Sequence, residues 1–244
     1  MADTKKILIP KIIREHTLTN RVCEIIEESI INHAFKPGEE IPEYKLAKYI
    51  GTSNTPIREA LNRLVADGLV LKKSNKPPRV ISLSGKDIEE LYDIRIALEV
   101  LAIKEATLYI NDINLKKMFE IQALGEKYYR NNQMEKYKTY SRQFHNQLSK
   151  ISHNALLIKM MIPIEKKIRL CVYSSLYIPG RMKKGIEEHY ELLELLKQKK
   201  PEAAAELMQK HIQQAKLDLL REYKDIKFFE PKISGLKLAN LDQE

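Results

Sequence analysis

The stretch Gly51-Thr52-Ser53-Asn54-Thr55-Pro56-Ile57-Arg58-Glu59-Ala60-Leu61 decides how this chain is read. Gly51 suits a tight turn, because a residue without Cβ accepts positive φ at no steric cost. Ser53 or Thr55 can accept a hydrogen bond from a free N–H of the first helical turn. Pro56 is tolerated there because its missing N–H would go unpaired anyway. Ile57, Ala60, Leu61, Leu64 and Val65 then fall at i, i+3, i+4, i+7 and i+8, one face of an amphipathic helix. The opposite face carries Thr55, Arg58, Asn62 and Arg63. Such side chains at an exposed helix N-terminus reach phosphates and base edges together, so the pattern predicts a DNA recognition helix.

Its neighbours extend that reading. Ile41 to Ile50 reads as a short helix with Leu46, Tyr49 and Ile50 inward, and a turn of three or four residues leads into the recognition helix. That is helix-turn-helix spacing. Leu18 to His33 reads as a first helix with Val22, Ile25, Ile26, Ser29 and Ile30 buried, followed by a turn at Phe35-Lys36-Pro37-Gly38. His16 and His33 read as surface or packing residues. Gly68 ends the recognition helix, and Leu69–Leu71 and Val80-Ile81 read as strands. Between them, Lys72 to Arg79 carries four basic residues and no acid, which makes a wing that lies along the phosphate backbone. On this winged helix, Arg58 is expected to meet phosphate or guanine, and Asn54 and Thr55 base edges. Lys45, Lys76 and Arg79 are expected on phosphate, with Ser53 and Asn62 on the same surface. A salt bridge from Arg58 to a nearby acid such as Glu59 is the structural alternative.

Residues 20–82 resemble the winged-helix domain of GntR-type bacterial transcription regulators. The resemblance rests on Phe35-Lys36-Pro37-Gly38 with Ile41, on Leu46-Ala47, on Ser53 to Leu61, and on Leu64 with Gly68-Leu69-Val70. The family usually has Arg where Asn54 stands, Gly where Asn75 stands in the wing, and often Arg at Tyr44. Asn tolerates the left-handed conformation, so the wing turn survives.

A chain of 244 residues is long enough for two domains with cores of their own. Its 42 Lys and Arg against 33 Asp and Glu give a net charge of +9, which suits a polyanionic partner. Cys23 and Cys171 stand in separate helical segments and read as thiols of a reducing compartment. Lys5, Lys6 and Lys11 surround an apolar Ile7-Leu8-Ile9 too brief for a signal sequence. No apolar run approaches a membrane span, since Ala155 to Ile164 is broken by Lys159 and Pro163. The expectation is a soluble, cytoplasmic protein associated with the bacterial nucleoid and with no membrane partner.

The expected organisation is mainly α: a flexible arm over 1–17, a winged helix-turn-helix over 18–83, an all-helical domain over 84–225 and a tail over 226–244. Ser84-Gly85-Lys86 reads as linker plus helix cap. Six helices follow, over Asp87–Ile110, Ile113–Asn131, Gln133–Ser152, Ala155–Ser175, Arg181–Lys199 and Pro201–Asp225. Turn- or cap-forming residues stand at each break, including Pro179-Gly180. Short loops between long amphipathic helices imply an antiparallel bundle.

Three histidines fall on its inward stripes. His189 runs with Ile186, Tyr190, Leu193 and Leu196, and His211 with Leu207, Ala215 and Leu219. Each stands 11 residues from the turn at 200, about 16 Å along an antiparallel pair, so the two should face each other. His145 shares a stripe with Ser141, Phe144 and Leu148 on another helix. Ordinary buried, hydrogen-bonded histidines are the plainer alternative.

The order Asp93-Ile94-Arg95…Leu98-Glu99, Phe144-His145…Leu148, Glu188-His189…Leu192-Leu193 and Met208…His211-Ile212 resembles the FCD effector domain. That domain follows the winged helix in the FadR-type branch of the GntR regulators, and the resemblance then covers roughly residues 20–222. It implies a divalent metal on His145, His189 and His211, with an Asp four residues before the first His. Here that position is Ser141. Three imidazoles around Zn²⁺, or Ni²⁺, leave positions open to water or an anion. Losing the carboxylate lowers metal affinity and makes an incoming carboxylate more welcome. Arg95 reads either as an i,i+4 partner of Glu99 or, with Ser141, as a contact for a small carboxylate effector; Arg142 and Arg169 read as solvated faces.

The resemblance also implies a homodimer on a short inverted repeat of operator DNA, acting as a repressor. Two other readings stay open. A metal-dependent hydrolase could use the three-His site, although no Glu or Asp pairs with it in the sequence as a general base and Ser141 lacks a triad partner. An effector-free nucleic-acid-binding protein would leave the inward histidines unexplained.

Overall fold

Two apolar patterns in the sequence become two cores in the computed structural model, which describes residues 18–175 and 180–225. The expected arm over 1–17, Pro179 and the tail over 226–244 lie outside the described residues. The first core joins α1 (Leu18–Ile31), α2 (Glu43–Ile50) and α3 (Asn54–Ala66). Val22, Ile26 and Ile30 meet Ile57, Leu61 and Leu64, with Phe35 and Ile41 closing the interior. Gly51 ends α2 at φ +74°, its N–H bonding back to Ala47. A hairpin of β1 (Val70–Leu71) and β2 (Arg79–Val80) follows, antiparallel, with Val70 opposite Val80 and Leu71 opposite Arg79. The first strand is one residue shorter than expected and the second lies one position earlier, yet Ile81 N–H still donates to Leu69 at 2.9 Å. Asn75 turns the wing at φ +58°, in the conformation that glycine would otherwise supply.

Several side chains depart from the expected faces. Tyr49 is 66% exposed and Ala47 is buried in its place. The 100° step of a helix puts positions 46, 47 and 50 on one side and 49 beyond its edge. Ile25 is exposed and Ser29 only half-buried, its hydroxyl donating to the Ile25 carbonyl at 2.7 Å. Ser53 is the N-cap of α3 but makes no side-chain capping bond. His33 is a packing residue, buried, with a hydrogen bond to the Leu170 backbone.

The second core lies in a bundle of α4 (Gly85–Tyr109), α5 (Asp112–Arg130), α6 (Met134–Ile151), α7 (Ala155–Ser175), α8 (Arg181–Lys197) and α9 (Pro201–Asp225). Two of its helices start at side-chain caps visible in the sequence. Ser84 Oγ accepts from Asp87 N–H at 3.2 Å while Asp87 accepts from Ser84 N–H at 2.7 Å, a reciprocal capping box. Asn111 accepts from Asn114 N–H at 2.8 Å to start α5. Tyr92, Ile103, Phe144, Leu192, Leu193, Met208 and Ile212 fill the interior. Helix α4 packs along α9, α5 lies against α6 and α8, and α8 returns along α9.

Helix α7 ties the two cores together. Leu170 is buried among the apolar residues of the winged domain. Lys166 Nζ reaches Glu27 at 2.7 Å and Asp67 at 2.6 Å, and Arg169 reaches Glu28 at 2.7 Å. Arg169 is therefore an interdomain contact and not a solvated residue. Among the described residues no helix is long and apolar enough to cross a membrane. Both cysteines are free, and burial pushes the Cys171 thiol up to about 12, which leaves it inert at neutral pH.

Candidate metal centre and nucleic-acid interface

The three inward histidines come from three helices and meet. His145 stands on α6, His189 on α8 and His211 on α9, all buried, with His189 only 2% exposed. Ring centroids are 4.9 Å apart for His189 and His211, 5.1 Å for His145 and His189, and 5.4 Å for His145 and His211. One ring nitrogen from each lies within 4.8 Å of one from both others. The facing of His189 and His211 follows from their matched depth on either side of the turn at Lys200-Pro201.

Each ring is oriented through its Nδ1. His145 Nδ1 is hydrogen-bonded to Glu99 of α4, and His211 Nδ1 lies 2.6 Å from Glu188. His189 Nδ1 lies 3.0 Å from Oε1 of Gln122 on α5. The Gln122 amide donates its own N–H to the Ile186 carbonyl at 3.2 Å, which leaves Oε1 to accept from the imidazole. Phe144 stacks flat on His189 at 4.1 Å, fixing the ring plane. With Nδ1–H committed in this way, each Nε2 carries a bare lone pair. His189 Nε2 is buried and has no hydrogen-bond partner among the described residues.

Electrostatics keep two of these rings neutral. Burial, with the His211 and His145 rings alongside disfavouring a further positive charge, holds His189 well below the ordinary histidine range. Burial also lowers His211 to about 4, although the bond to Glu188 pulls the other way. Burial would raise Glu99, but His145 and Arg95 outweigh it and keep the carboxylate ionised. Neutral imidazoles held through Nδ1 by carboxylates or an amide are what a divalent ion requires of its ligands. The donor set fits Zn²⁺ or Ni²⁺ through three nitrogens. The orphaned Nε2 of His189 is the observation that most favours an ion there. A bound ion would supply positive charge and open positions for an anionic oxygen.

Sequence reading missed this supporting shell. It found no acid paired with the histidines, yet Glu99 and Glu188 both touch them. Both are occupied in orienting rings and are not free to serve as a general base. Glu188 directly precedes His189, and Gln122 is a polar residue four positions after buried Met118 on α5; those were the available signals.

A cavity of about 330 Å³ opens beside the histidines, at the small end of ligand-pocket sizes. Ser141 lines it, as do Arg95, Arg142, Arg169 and Arg181. Arg95 makes the expected i,i+4 pair with Glu99 at 2.6 Å and also lines the cavity. Arg142 is not a solvated face: it is half-buried, 3.5 Å from Glu165. Arg181 bridges Glu188 and Asp218, each at 3.2 Å.

The nucleic-acid face lies on the winged domain. Lys45, Ser53, Asn54, Thr55, Arg58, Asn62, Lys76 and Arg79 are all exposed, while Pro56, Ile57, Ala60 and Leu61 turn inward. Arg58 Nε pairs at 2.9 Å with Glu43 on α2 instead of Glu59, and Arg79 pairs with Glu40. Arg63, placed by its spacing on the outer face, turns toward α1 and donates to Asn20 at 2.5 Å.

Comparison with known proteins places both halves. Residues 18–80 match the model of the gntR family of bacterial regulatory proteins, and residues 90–214 match the FCD domain. The chain is similar to the uncharacterized HTH-type transcriptional regulator YdhC of Bacillus subtilis, 30% identical over 190 residues, covering 76% of this chain and 84% of the relative. It is also similar to the Nta operon transcriptional regulator of Aminobacter aminovorans, 28% identical over 184 residues, covering 75% and 85%. Among solved structures, McbR/YncC of Escherichia coli superposes with a TM-score of 0.75 at 25% identity, covering 86% of this chain and all of that one. These relatives are transcription regulators and not enzymes. The chain belongs to the GntR family of bacterial DNA-binding transcription regulators, in the branch that carries an FCD domain behind the winged helix.

Proposed function

We propose that this regulator is a repressor whose operator binding responds to a small organic acid, sensed beside a divalent ion on His145, His189 and His211. One observation carries the reading: all three imidazoles are held through Nδ1, and one ring nitrogen of each lies within 4.8 Å of one from both others. Zn²⁺ is the preferred ion, with Ni²⁺ the alternative. Ser141, in place of a carboxylate ligand, leaves the site with more net positive charge for an incoming carboxylate, and Arg95 adds to it. Glu99, Gln122 and Glu188 act as positioning residues for the three rings.

The regulator acts in the cytoplasm, on DNA, as a homodimer that reads a short inverted repeat. Ile94, Leu101 and Leu108 support the dimer, because they recur at seven-residue spacing along α4 and remain exposed. Leu156 and Met160 on α7 are exposed beside Leu157 and Met161, which pack on Leu98 and Ala102 of α4. An apolar stripe of that length on an exposed helix face invites a second copy.

Ligand binding moves an operator equilibrium only by its difference in affinity between two states. The DNA-competent and ligand-bound arrangements must therefore differ at the cavity. Metal analysis of protein purified without chelator, beside a His189→Ala variant, tests the centre. About one ion per chain in the native protein and loss in the variant is the expected result. Equal, near-zero metal in both overturns it.

A further inference from the structure

The cavity does not end within the helical bundle. Glu28 and Ile31 of α1 and Asn32 just after it also line it, so one space touches both the histidines and the DNA-binding domain. The charges at its two ends are unequally satisfied. Near the histidines, Arg95 is held by Glu99 at 2.6 Å. Arg181 is held by Glu188, by Asp218 and by the His211 carbonyl at 3.1 Å. At the α1 end, Arg169 is shared between Glu28 at 2.7 Å and Glu27 at 3.5 Å. Arg142 has Glu165 at 3.5 Å and makes no hydrogen bond among the described residues. Burial and the like charge of Arg169 lower its affinity for its proton, outweighing the opposite pull of Glu165, Glu28 and Glu27.

Arg142 also stands at the right place along the chain. It precedes His145 by three residues on α6, which puts the two on neighbouring positions of one helix face, about 4.5 Å apart along the axis. A short ligand that reaches the histidine end with one group can reach Arg142 with another.

We propose that Arg142 and Arg169 form a second anion subsite, set against α1 of the winged domain, which makes the cavity selective for a dicarboxylate over a monocarboxylate. The far carboxylate gives Arg142 the hydrogen bonds it lacks and competes with Glu28 for Arg169. Because Glu28 belongs to α1, that competition is felt directly by the DNA-binding domain, with no relay through the bundle. The inference rests on the organic-acid reading above and adds to it a ligand class and the residues that choose it.

Calorimetry on the zinc-loaded full chain, with glutarate and with valerate as its single-carboxylate counterpart, tests this. Glutarate should bind about tenfold more tightly, the equivalent of one charge-assisted hydrogen bond. Arg142→Gln should lose about that factor for glutarate and leave valerate unchanged. Glu165→Gln removes the competing carboxylate without touching the arginines, and should strengthen glutarate binding alone. It also keeps the test decisive if Arg142→Gln folds poorly. Equal binding of the two acids by the native protein, or equal losses for both in Arg142→Gln, overturns the subsite while sparing the organic-acid reading. Binding of neither acid overturns both.

Discussion

His189 Nδ1 sits 3.0 Å from Oε1 of Gln122, an amide 67 residues earlier on a different helix, and that contact leaves the opposite ring nitrogen bare in the interior. A buried acceptor without a partner costs stability, so the arrangement makes physical sense when something fills it. Gln122→Leu removes the acceptor while keeping a side chain of similar size at a buried position. The expected result is a zinc affinity lowered about 10- to 100-fold, read by competition against a chromophoric chelator. Unchanged affinity would mean that stacking on Phe144 alone orients the ring.

Arg58 and Glu43 set up a second test. The pair is exposed enough that it adds little stability, and if Arg58 is a DNA contact, as we propose, it must leave Glu43 to make it. Arg58→Ala should weaken binding to an operator selected from a random pool by about 1–3 kcal/mol. Glu43→Gln should act in the opposite direction, tightening binding by up to about 1 kcal/mol. If fluorescence anisotropy shows both variants weakened, Glu43 supports the interface and does not compete with it.

The stripe on α4 predicts the state of assembly. Leu108 is 65% exposed on a helix whose other face is deep in the bundle core. Placing a charge there disturbs no packing within one chain but would lie inside a dimer seam. Leu101→Glu with Leu108→Glu should give a folded monomer by light scattering, with an unchanged helical circular dichroism spectrum. A dimer that persists at micromolar concentration puts the interface elsewhere.

Much of this architecture was legible in the residues. Helix ends came out within about two positions because caps mark them: Ser84 with Asp87, Asn111 with Asn114, and Gly51 in its left-handed turn. The convergence of His189 and His211 followed from counting outward from one turn. What sequence could not supply was contact between elements far apart in the chain. Glu99 meets His145 across 46 residues and Gln122 meets His189 across 67, and neither separation leaves a periodic trace. Arg142 and Arg169 were read as solvated for the same reason: helical spacing reports an angle about one axis, not what a second domain covers. Tyr49 failed differently, because an eight-residue helix has too few apolar positions to fix its inward direction.

Lys166 gives the last test, since it joins the recognition helix to the bundle. Its ammonium lies between Glu27 of α1 and Asp67, the C-cap residue of α3, at 2.7 and 2.6 Å. All three side chains are largely covered, so the bonds are better shielded than surface pairs. Burial disfavours the ammonium, but the bonds to Asp67 and Glu27 outweigh it and raise its pKa, so it stays charged through the neutral range. Lys166→Met keeps the length of the stem and deletes the charge, leaving Glu27 and Asp67 without their shared cation, Glu27 keeping only Arg169 at 3.5 Å. The link should weaken by about 1–3 kcal/mol, the range for hydrogen bonds to charged groups. Because Leu170 still anchors α7 in the winged domain, the expected effect is loosening and not separation. Amide exchange should quicken in residues 18–66 while the bundle core around Leu192 and Ile212 keeps its protection. Lys166→Arg, which restores the charge, should return exchange toward the native rate. If exchange in α1 and α3 matches the native protein in both variants, apolar packing at Leu170 carries the connection, and ligand-driven changes at the neighbouring Arg169 must reach the recognition helix by that route instead.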